Sequence, residues 1–117
     1  MAKVLIVEDD VSIQEMRGII FERTDHILKS VYNGKQGLEA LAEFNSDIVF
    51  LDEQMPVMRG DKFLSELTNN KQYEQYKSIP IIGISGTGFQ DTTHLKEELI
   101  KPVSFDDIIR CIETYCK

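Results

Sequence analysis

Five short apolar runs alternate along this chain with longer segments in which apolar residues recur every three or four positions. The runs lie at 3–7, 27–31, 47–51, 81–84 and 98–100. Short runs with few polar residues are typical of strands that are buried on both faces of a parallel sheet. The hydrophobic pattern therefore predicts five strands separated by helices.

Capping residues and helical spacing predict the first two helices. Asp10 or Ser12 caps a first helix that ends near Arg23, and a second helix ends near Phe44. Each of these helices needs one apolar face for the sheet. The apolar positions are, in chain order, Ile13, Met16, Ile19 and Ile20, and then Leu38, Leu41 and Ala42.

Two more helices are predicted in the second half of the chain. Gly60 leads into a third helix, which fades in the polar segment 69–78, and Ser104 caps the last helix. The apolar positions of these helices are Phe63, Leu64 and Leu67, and then Phe105, Ile108, Ile109, Ile112 and Tyr115.

The segment between the last two strands has little helical periodicity. Gly86 and Gly88 interrupt it, so we expect a short, irregular or absent helix there. Elsewhere strands and helices alternate, which requires a parallel sheet covered by helices on both faces. The predicted fold class is α/β, a doubly wound five-stranded sheet, in a single domain over residues 1–117.

Polar residues with a specific chemistry follow four of the five strands. Glu8-Asp9 follows the first, Asp52 the third, Ser85 the fourth and Lys101 the fifth. In a parallel sheet these ends lie along one edge, where open α/β sheets bind their ligands. We therefore expect three carboxylates, a hydroxyl and an amine in one pocket.

These groups predict a magnesium site and phosphoryl chemistry. Clustered carboxylates are costly unless a cation neutralises them, and a few oxygen ligands suit Mg²⁺. Asp52 beside the ion can attack a phosphoryl donor and form an aspartyl phosphate. Lys101 can then pair with the transferred group while the Ser85 hydroxyl donates to one of its oxygens.

Four motifs, in order, resemble the response-regulator receiver domains of two-component signalling. They are Val7-Glu8-Asp9-Asp10, Asp52-x-x-Met55-Pro56 followed by Gly60, Pro80 to Ser85, and Lys101-Pro102. The resemblance spans nearly the whole chain. It implies a flavodoxin-like fold of the chemotaxis-regulator type, with strand order 2-1-3-4-5.

The resemblance also implies roles for the site residues. Asp52 would accept the phosphoryl group from a sensor histidine kinase or a histidine phosphotransfer protein. Ser85 would couple phosphorylation to loop movement, Lys101 would pair with the phosphoryl group, and the Lys101-Pro102 peptide would be cis. The protein would then act on a downstream protein target or relay the group onward.

The metal ligands implied by the resemblance come from two loops and one strand end. Asp9 would bind Mg²⁺ directly and Glu8 through water. Asp52 and the backbone carbonyl of Gln54 would complete the protein ligands. Asp10 is interpreted as a helix cap rather than a ligand.

Two departures from the family pattern affect the expected switch. Family members carry Tyr or Phe three residues before the lysine, where this chain has Glu98. The interval from Ser85 to Lys101 is also shorter than in most members. We therefore predict that the loop from Gly86 to Gln90 carries the conformational change, pulled through Ser85.

Composition excludes several other classes. The net charge of −7, without a basic cluster, disfavours direct nucleic-acid binding. No apolar stretch is long enough for a membrane span, and no signal peptide is recognisable at the N-terminus. Cys111 and Cys116 lie at the wrong spacing to share a helical face. We therefore expect reduced thiols, a cytoplasmic location and no attached output domain.

Two other functions were weighed against a phosphorylated receiver. A pseudo-receiver that binds partners without phosphorylation is favoured by Glu98 and by the shortened interval between Ser85 and Lys101. A phosphatase with an aspartyl nucleophile would need an acid at position 54, where Gln54 stands. We expect no enzyme activity beyond the domain's own phosphorylation and dephosphorylation, with Gln54 and Thr87 setting the phosphoryl lifetime.

Overall fold

A computed structural model describes residues 1–116, which contain one five-stranded sheet and four α-helices. The strands are β1 (Lys3–Val7), β2 (Ile27–Val31), β3 (Ile48–Asp52), β4 (Ile81–Ser85) and β5 (Glu97–Ile100). The α-helices are α1 (Val11–Phe21), α2 (Gly34–Phe44), α3 (Gly60–Asn69) and α4 (Phe105–Tyr115), and a 3₁₀ helix spans Lys71–Tyr76. Each predicted strand is present, with its ends within one residue of the prediction.

The sheet has the order β2-β1-β3-β4-β5, and every neighbouring pair is parallel. The prediction of a flavodoxin-like doubly wound fold is therefore confirmed. In the register of the central strands, Val7 lies beside Leu51 and Asp52 beside Ile84, while Ser85 lies beside Ile100. All the carboxyl ends consequently reach the same edge of the sheet.

Alternate residues of each central strand point to opposite faces, which divides the core into two layers. Leu5, Val49 and Leu51 pack on one side with residues of α2 and α3. Ile6 and Phe50 pack on the other side with α4 and with Phe21 of α1. Because β1 and β3 are buried on both faces, the residues at their ends are held in fixed positions.

Helices α2 and α4 largely follow the predicted pattern. The Ser104 side chain caps α4 in a reciprocal capping box with Asp107, and Ile108 and Ile112 are buried. In α2, Leu38 and Leu41 are buried as predicted, whereas Ala42 is exposed and Ala40 takes its place in the core. The difference arises because Ala40 lies nearly opposite Ala42 around the helix and faces the sheet side.

The predicted apolar face of α1 is wrong at Met16 and Ile19, whereas Ile13 and Ile20 are half-buried. Met16 and Ile19 are 53% and 60% exposed, and the buried residues are Gln14, Arg17 and Phe21. The Gln14 amide donates to the carbonyl oxygens of residues 6, 8 and 31, and this orients the helix. The helix also ends two residues before the predicted Arg23, although the predicted cap is confirmed because the Asp10 side chain accepts the N–H of residue 13.

Within the described residues no helix forms between β4 and β5, as predicted for a fourth helix that is short or absent. Gly88 has φ +98°, a left-handed conformation that a helix does not contain. Phe89 is buried and Leu95 is half-buried against the core layer of α2 and α3. These two side chains cover the part of β4 that a helix would otherwise cover.

The cysteine prediction is also confirmed in the part of the chain that is described. Cys111 is buried in α4, Cys116 is half-buried, and both are free thiols. Burial raises the pKa of the Cys111 thiol to about 11.

Among residues 1–116, none of the helices has both the length and the apolar character that a membrane crossing requires.

Candidate functional site

Three carboxylates converge where β1 and β3 end. Glu8 and Asp9 directly follow β1, and Asp52 is the last residue of β3. One carboxylate oxygen from each lies within 4.8 Å of the other two. Glu8 and Asp52 are each 2% exposed, whereas Asp9 is exposed at the mouth of the site. The structure thus brings together the acids that the sequence predicted.

Three of the four oxygens of the two buried carboxylates lack a hydrogen-bond partner. Oε1 of Glu8 and both carboxylate oxygens of Asp52 have no hydrogen-bond partner. Buried polar atoms without partners are rare in native proteins because they lose hydration without compensation. These oxygens face the exposed carboxylate of Asp9, so the cluster has the donor type and the open side that Mg²⁺ uses. The residues present therefore fit a magnesium ion.

Lys101 supplies the positive charge of the site. Its Nζ lies 3.3 Å from Oδ1 of Asp52 and 3.9 Å from Oε1 of Glu8. The backbone N–H of Lys101 donates to the carbonyl oxygen of Ser85 at 2.8 Å, which joins the end of β5 to the end of β4. The Lys101-Pro102 peptide is cis, as the resemblance implied.

Glu8 has a strongly shifted affinity for its proton. Burial is the largest cause, the adjacent Asp52 carboxylate adds to it, and together they raise the pKa of Glu8 from 4.5 to about 8. Lys101 acts in the opposite direction but does not offset burial. Two carboxylates this close form a hydrogen bond only when one is protonated. Without a cation, a proton therefore partly neutralises the cluster.

Ser85 lies on the other side of Asp52. It is the last residue of β4 and is buried, and its Oγ accepts the N–H of Gly88 at 2.6 Å. The Ser85 hydroxyl proton remains available for donation. A cleft of about 230 Å³ opens beside these groups, and its lining consists of Asp52, Gln54, Ser85, Gly86, Thr87 and Lys101.

Gln54 and Thr87 are exposed at the rim of this cleft, so both flank Asp52 as the sequence predicted. Asp10 is not among the clustered acids. Its side chain caps α1, and its N–H donates to Oε2 of Glu8 at 3.3 Å. The interpretation of Asp10 as a cap is consistent with this geometry.

Sequence reasoning missed two polar residues behind the acids. The Gln14 amide holds carbonyl oxygens on both sides of the β1 terminus, including that of Glu8 at 3.2 Å. Arg17 is 6% exposed, and its Nη1 has no hydrogen-bond partner. Burial lowers the pKa of Arg17, while Glu8 and Asp52 act in the opposite direction. No local pattern in the sequence signals the burial of Gln14, because it depends on carbonyl oxygens from two different strands.

Comparisons with known proteins agree with the fold and the motifs. The family model of the response regulator receiver domain matches residues 4–113. The CAI-1 autoinducer sensor kinase/phosphatase CqsS of Vibrio cholerae is 26% identical over 97% of this chain, which corresponds to 17% of that protein. The probable C4-dicarboxylate response regulator DctR of Halalkalibacterium halodurans is 26% identical over 98% of this chain and 51% of that protein.

This chain thus spans about half or less of the length of these two relatives. Two solved structures match this chain along almost the entire length of both chains. Chemotaxis protein CheY4 of Vibrio cholerae has a TM-score of 0.81 at 22% identity, covering 98% of each chain. The receiver domain of the Pseudomonas aeruginosa sensor histidine kinase PA1611, solved with magnesium in its active-site cleft, has a TM-score of 0.82 at 19% identity, covering 97% of this chain and 96% of that one.

Proposed function

Because this chain belongs to the response regulator receiver family, we propose that it accepts a phosphoryl group on Asp52 in a Mg²⁺-dependent reaction. The observation that carries the proposal is the state of the acceptor. Asp52 is buried, neither of its carboxylate oxygens has a hydrogen-bond donor, and Lys101 Nζ lies 3.3 Å from Oδ1. A carboxylate of this kind is free to form a new bond and has a cation beside it to pair with the product.

Glu8, Asp9, Asp52 and the Gln54 carbonyl are the groups that we propose to hold the ion. When bound, Mg²⁺ neutralises the acids and stabilises the negative charge of the phosphoryl oxygens. The Glu8 proton is then released, because a divalent cation favours the ionised carboxylate.

The transfer itself is a substitution at phosphorus. One Asp52 carboxylate oxygen forms a bond to the phosphorus of a phosphohistidine donor, and the bond from phosphorus to the imidazole nitrogen breaks, returning its electron pair to the ring. Lys101 pairs with a phosphoryl oxygen, and the Ser85 hydroxyl donates to another. Gln54 and Thr87, at the rim of the cleft, control how water reaches the acyl phosphate and therefore its lifetime.

The partners follow from this chemistry. A sensor histidine kinase or a histidine phosphotransfer protein supplies the phosphoryl group, and a downstream protein receives the signal or the group itself. This assigns the protein a cytoplasmic place of action and no catalytic turnover beyond its own phosphorylation and dephosphorylation. The net charge of −7 favours protein partners over nucleic acid.

A phosphorylation-independent adaptor is the second candidate. It is favoured by Glu98, which replaces the aromatic residue of the family pattern, and by the missing helix between β4 and β5. The intact acid cluster favours the first candidate, because an adaptor has no use for buried carboxylates without donors.

Intact-mass measurement separates the two. The protein is incubated with acetyl phosphate and Mg²⁺, in parallel with Asp52→Asn and with Asp25→Asn, which alters an exposed aspartate at the opposite edge of the sheet. We expect one phosphate-sized mass gain in the wild type and in Asp25→Asn, none in Asp52→Asn, and none after chelation of the metal. A wild type that gains no mass with Mg²⁺ present would support the adaptor.

A further inference from the structure

Glu98 makes a contact that the usual aromatic residue could not make. It lies on β5, half-buried, and its Oε2 accepts the backbone N–H of Phe89 at 2.5 Å. The neighbouring residue Glu97 points to the other face of the sheet, where its carboxylate binds Arg110 and Tyr115 of α4. Glu98 therefore holds the segment between β4 and β5, whereas Glu97 holds a helix.

The preceding amide of the chain, that of Gly88, contacts the functional site. Gly88 N–H donates to Ser85 Oγ at 2.6 Å, so two consecutive amides are held by side chains from two adjacent strands. Gly88 has φ +98°, which lets both N–H groups reach their acceptors. The two peptide units on either side of the Gly88 Cα thus link the Glu98 carboxylate to the Ser85 hydroxyl.

The Phe89 ring extends this link toward residues 53–59, the loop between β3 and α3, which we call the acceptor loop. A Cβ on Gly83 would lie 2.8 Å from Cε1 of Phe89, and a Cβ on Gly60 would lie 3.0 Å from Cε2, so the ring fills a slot between two glycines. The same Cβ on Gly60 would lie 2.7 Å from the carbonyl oxygen of Asp52. The ring therefore packs against Gly60, which in turn lies beside the backbone of Asp52.

We propose that Glu98 is a positioning residue for Ser85. By holding the Phe89 N–H, it keeps the Gly88 N–H on Ser85 Oγ and retains residues 86–90 in the unphosphorylated arrangement. The proposal rests on the proposed function, because it requires a phosphoryl group on Asp52 that draws the Ser85 hydroxyl toward it. That movement stretches the Gly88 contact and pulls the following peptide away from Glu98.

The consequence is a restraint that opposes the phosphorylated state. A hydrogen bond to a carboxylate is about twice as strong as one to a neutral acceptor. Removing the carboxylate therefore lowers the cost of moving Ser85 and shifts the two-state equilibrium toward the phosphorylated arrangement. An amide oxygen in the same position retains part of the restraint.

Binding of beryllofluoride, a phosphoryl mimic, in the presence of Mg²⁺ tests this in a graded series. We expect Glu98→Ala to bind it about tenfold more tightly than the wild type, and Glu98→Gln about threefold more tightly. Glu97→Ala is the matched control, because it removes the neighbouring carboxylate from the opposite face, and it should bind as the wild type does.

Amide hydrogen exchange in the absence of any phosphoryl group gives the second readout. Exchange at Gly88 and Phe89 should become faster in Glu98→Ala and remain unchanged in Glu97→Ala. Equal beryllofluoride affinity in Glu98→Ala and the wild type, or an equal gain in Glu97→Ala, would overturn the role of Glu98 while leaving the proposed function intact. A wild type that does not bind the mimic at all would overturn both.

Discussion

The two sides of the cleft are built in different ways. On one side Glu8, Asp9 and Asp52 stand at the ends of strands that are buried on both faces, and we call these three residues the acid cluster. On the other side residues 86–96, which we call the switch segment, have neither helix nor strand. The acid cluster is fixed before any ligand arrives, whereas the switch segment depends on a few side-chain contacts.

This difference separates chemistry from response. Under the proposed function, the groups that meet a phosphoryl donor in a defined geometry are held by the sheet, because misplacing them by one ångström would lower the rate. A segment that must change its arrangement gains from having few backbone hydrogen bonds of its own.

The largest effect is expected from pH and metal acting on the acid cluster. The pKa of Glu8 is about 8 in the folded protein and 4.5 ordinarily, so the folded state binds the proton more tightly than the unfolded state. Stability should therefore fall as pH rises from about 5 to about 8, by roughly 3 kcal/mol without metal. Denaturant unfolding across this range measures the fall.

Two matched measurements test the cause of that fall. In Glu8→Gln the dependence should largely disappear, and in the wild type saturating Mg²⁺ should reduce it because the cation favours the ionised acid. A metal-free wild type whose stability rose over the same range would show that the acid cluster is not strained by its charge.

An intermediate effect is expected at Gly60, where the two sides meet. A Cβ there would lie 2.7 Å from the Asp52 carbonyl oxygen, 2.9 Å from Cα of Glu53 and 3.0 Å from the Phe89 ring. Gly60→Ala should lower the free energy of unfolding by about 2 kcal/mol, because backbone atoms must shift. Gly86→Ala, with no atom within 4 Å of its new Cβ, is the control and should change it by less than about 0.5 kcal/mol.

The smallest effect is expected from two residues with positive φ, one on each side. Val57, in the acceptor loop, has φ 68° and is 78% exposed, whereas Gly88, in the switch segment, has φ 98°. A β-branched residue is strained in this region and glycine is not. Val57→Asn should raise the free energy of unfolding by about 1 kcal/mol and Gly88→Ala should lower it by about 1 kcal/mol. Thermal unfolding of both variants would contradict this if the midpoints moved in the same direction.

Much of the acid cluster could be predicted from the sequence. Buried strands can be recognised from their local composition, and in a parallel sheet the polar residues at their ends must then lie together. Asp52, Ser85 and Lys101 were therefore placed correctly without any knowledge of contacts. Strand bounds were accurate because a charge, a proline or an Asn-Gly pair lies next to each apolar run.

The face of α1 and the contacts of Glu98 could not be predicted in the same way. Gln14 is buried because it meets three carbonyl oxygens from two different strands, a condition that no local pattern records. The Phe89 ring has a slot only because Gly83 and Gly60 approach each other in space. Both features depend on partners that are remote in sequence.

Helix α1 is left with two competing rotational settings. Its exposed apolar residues Met16 and Ile19 would favour a roll about the helix axis that buries them, and the directional bonds of the Gln14 amide oppose that roll together with the buried Phe21 ring. Polar groups whose hydrogen bonds are satisfied in only one geometry select one packing. Apolar contacts alone would leave the alternative packings nearly equal in free energy. A chain with leucine in place of Gln14 would therefore risk an alternative docking of its first helix rather than a simple gain in stability.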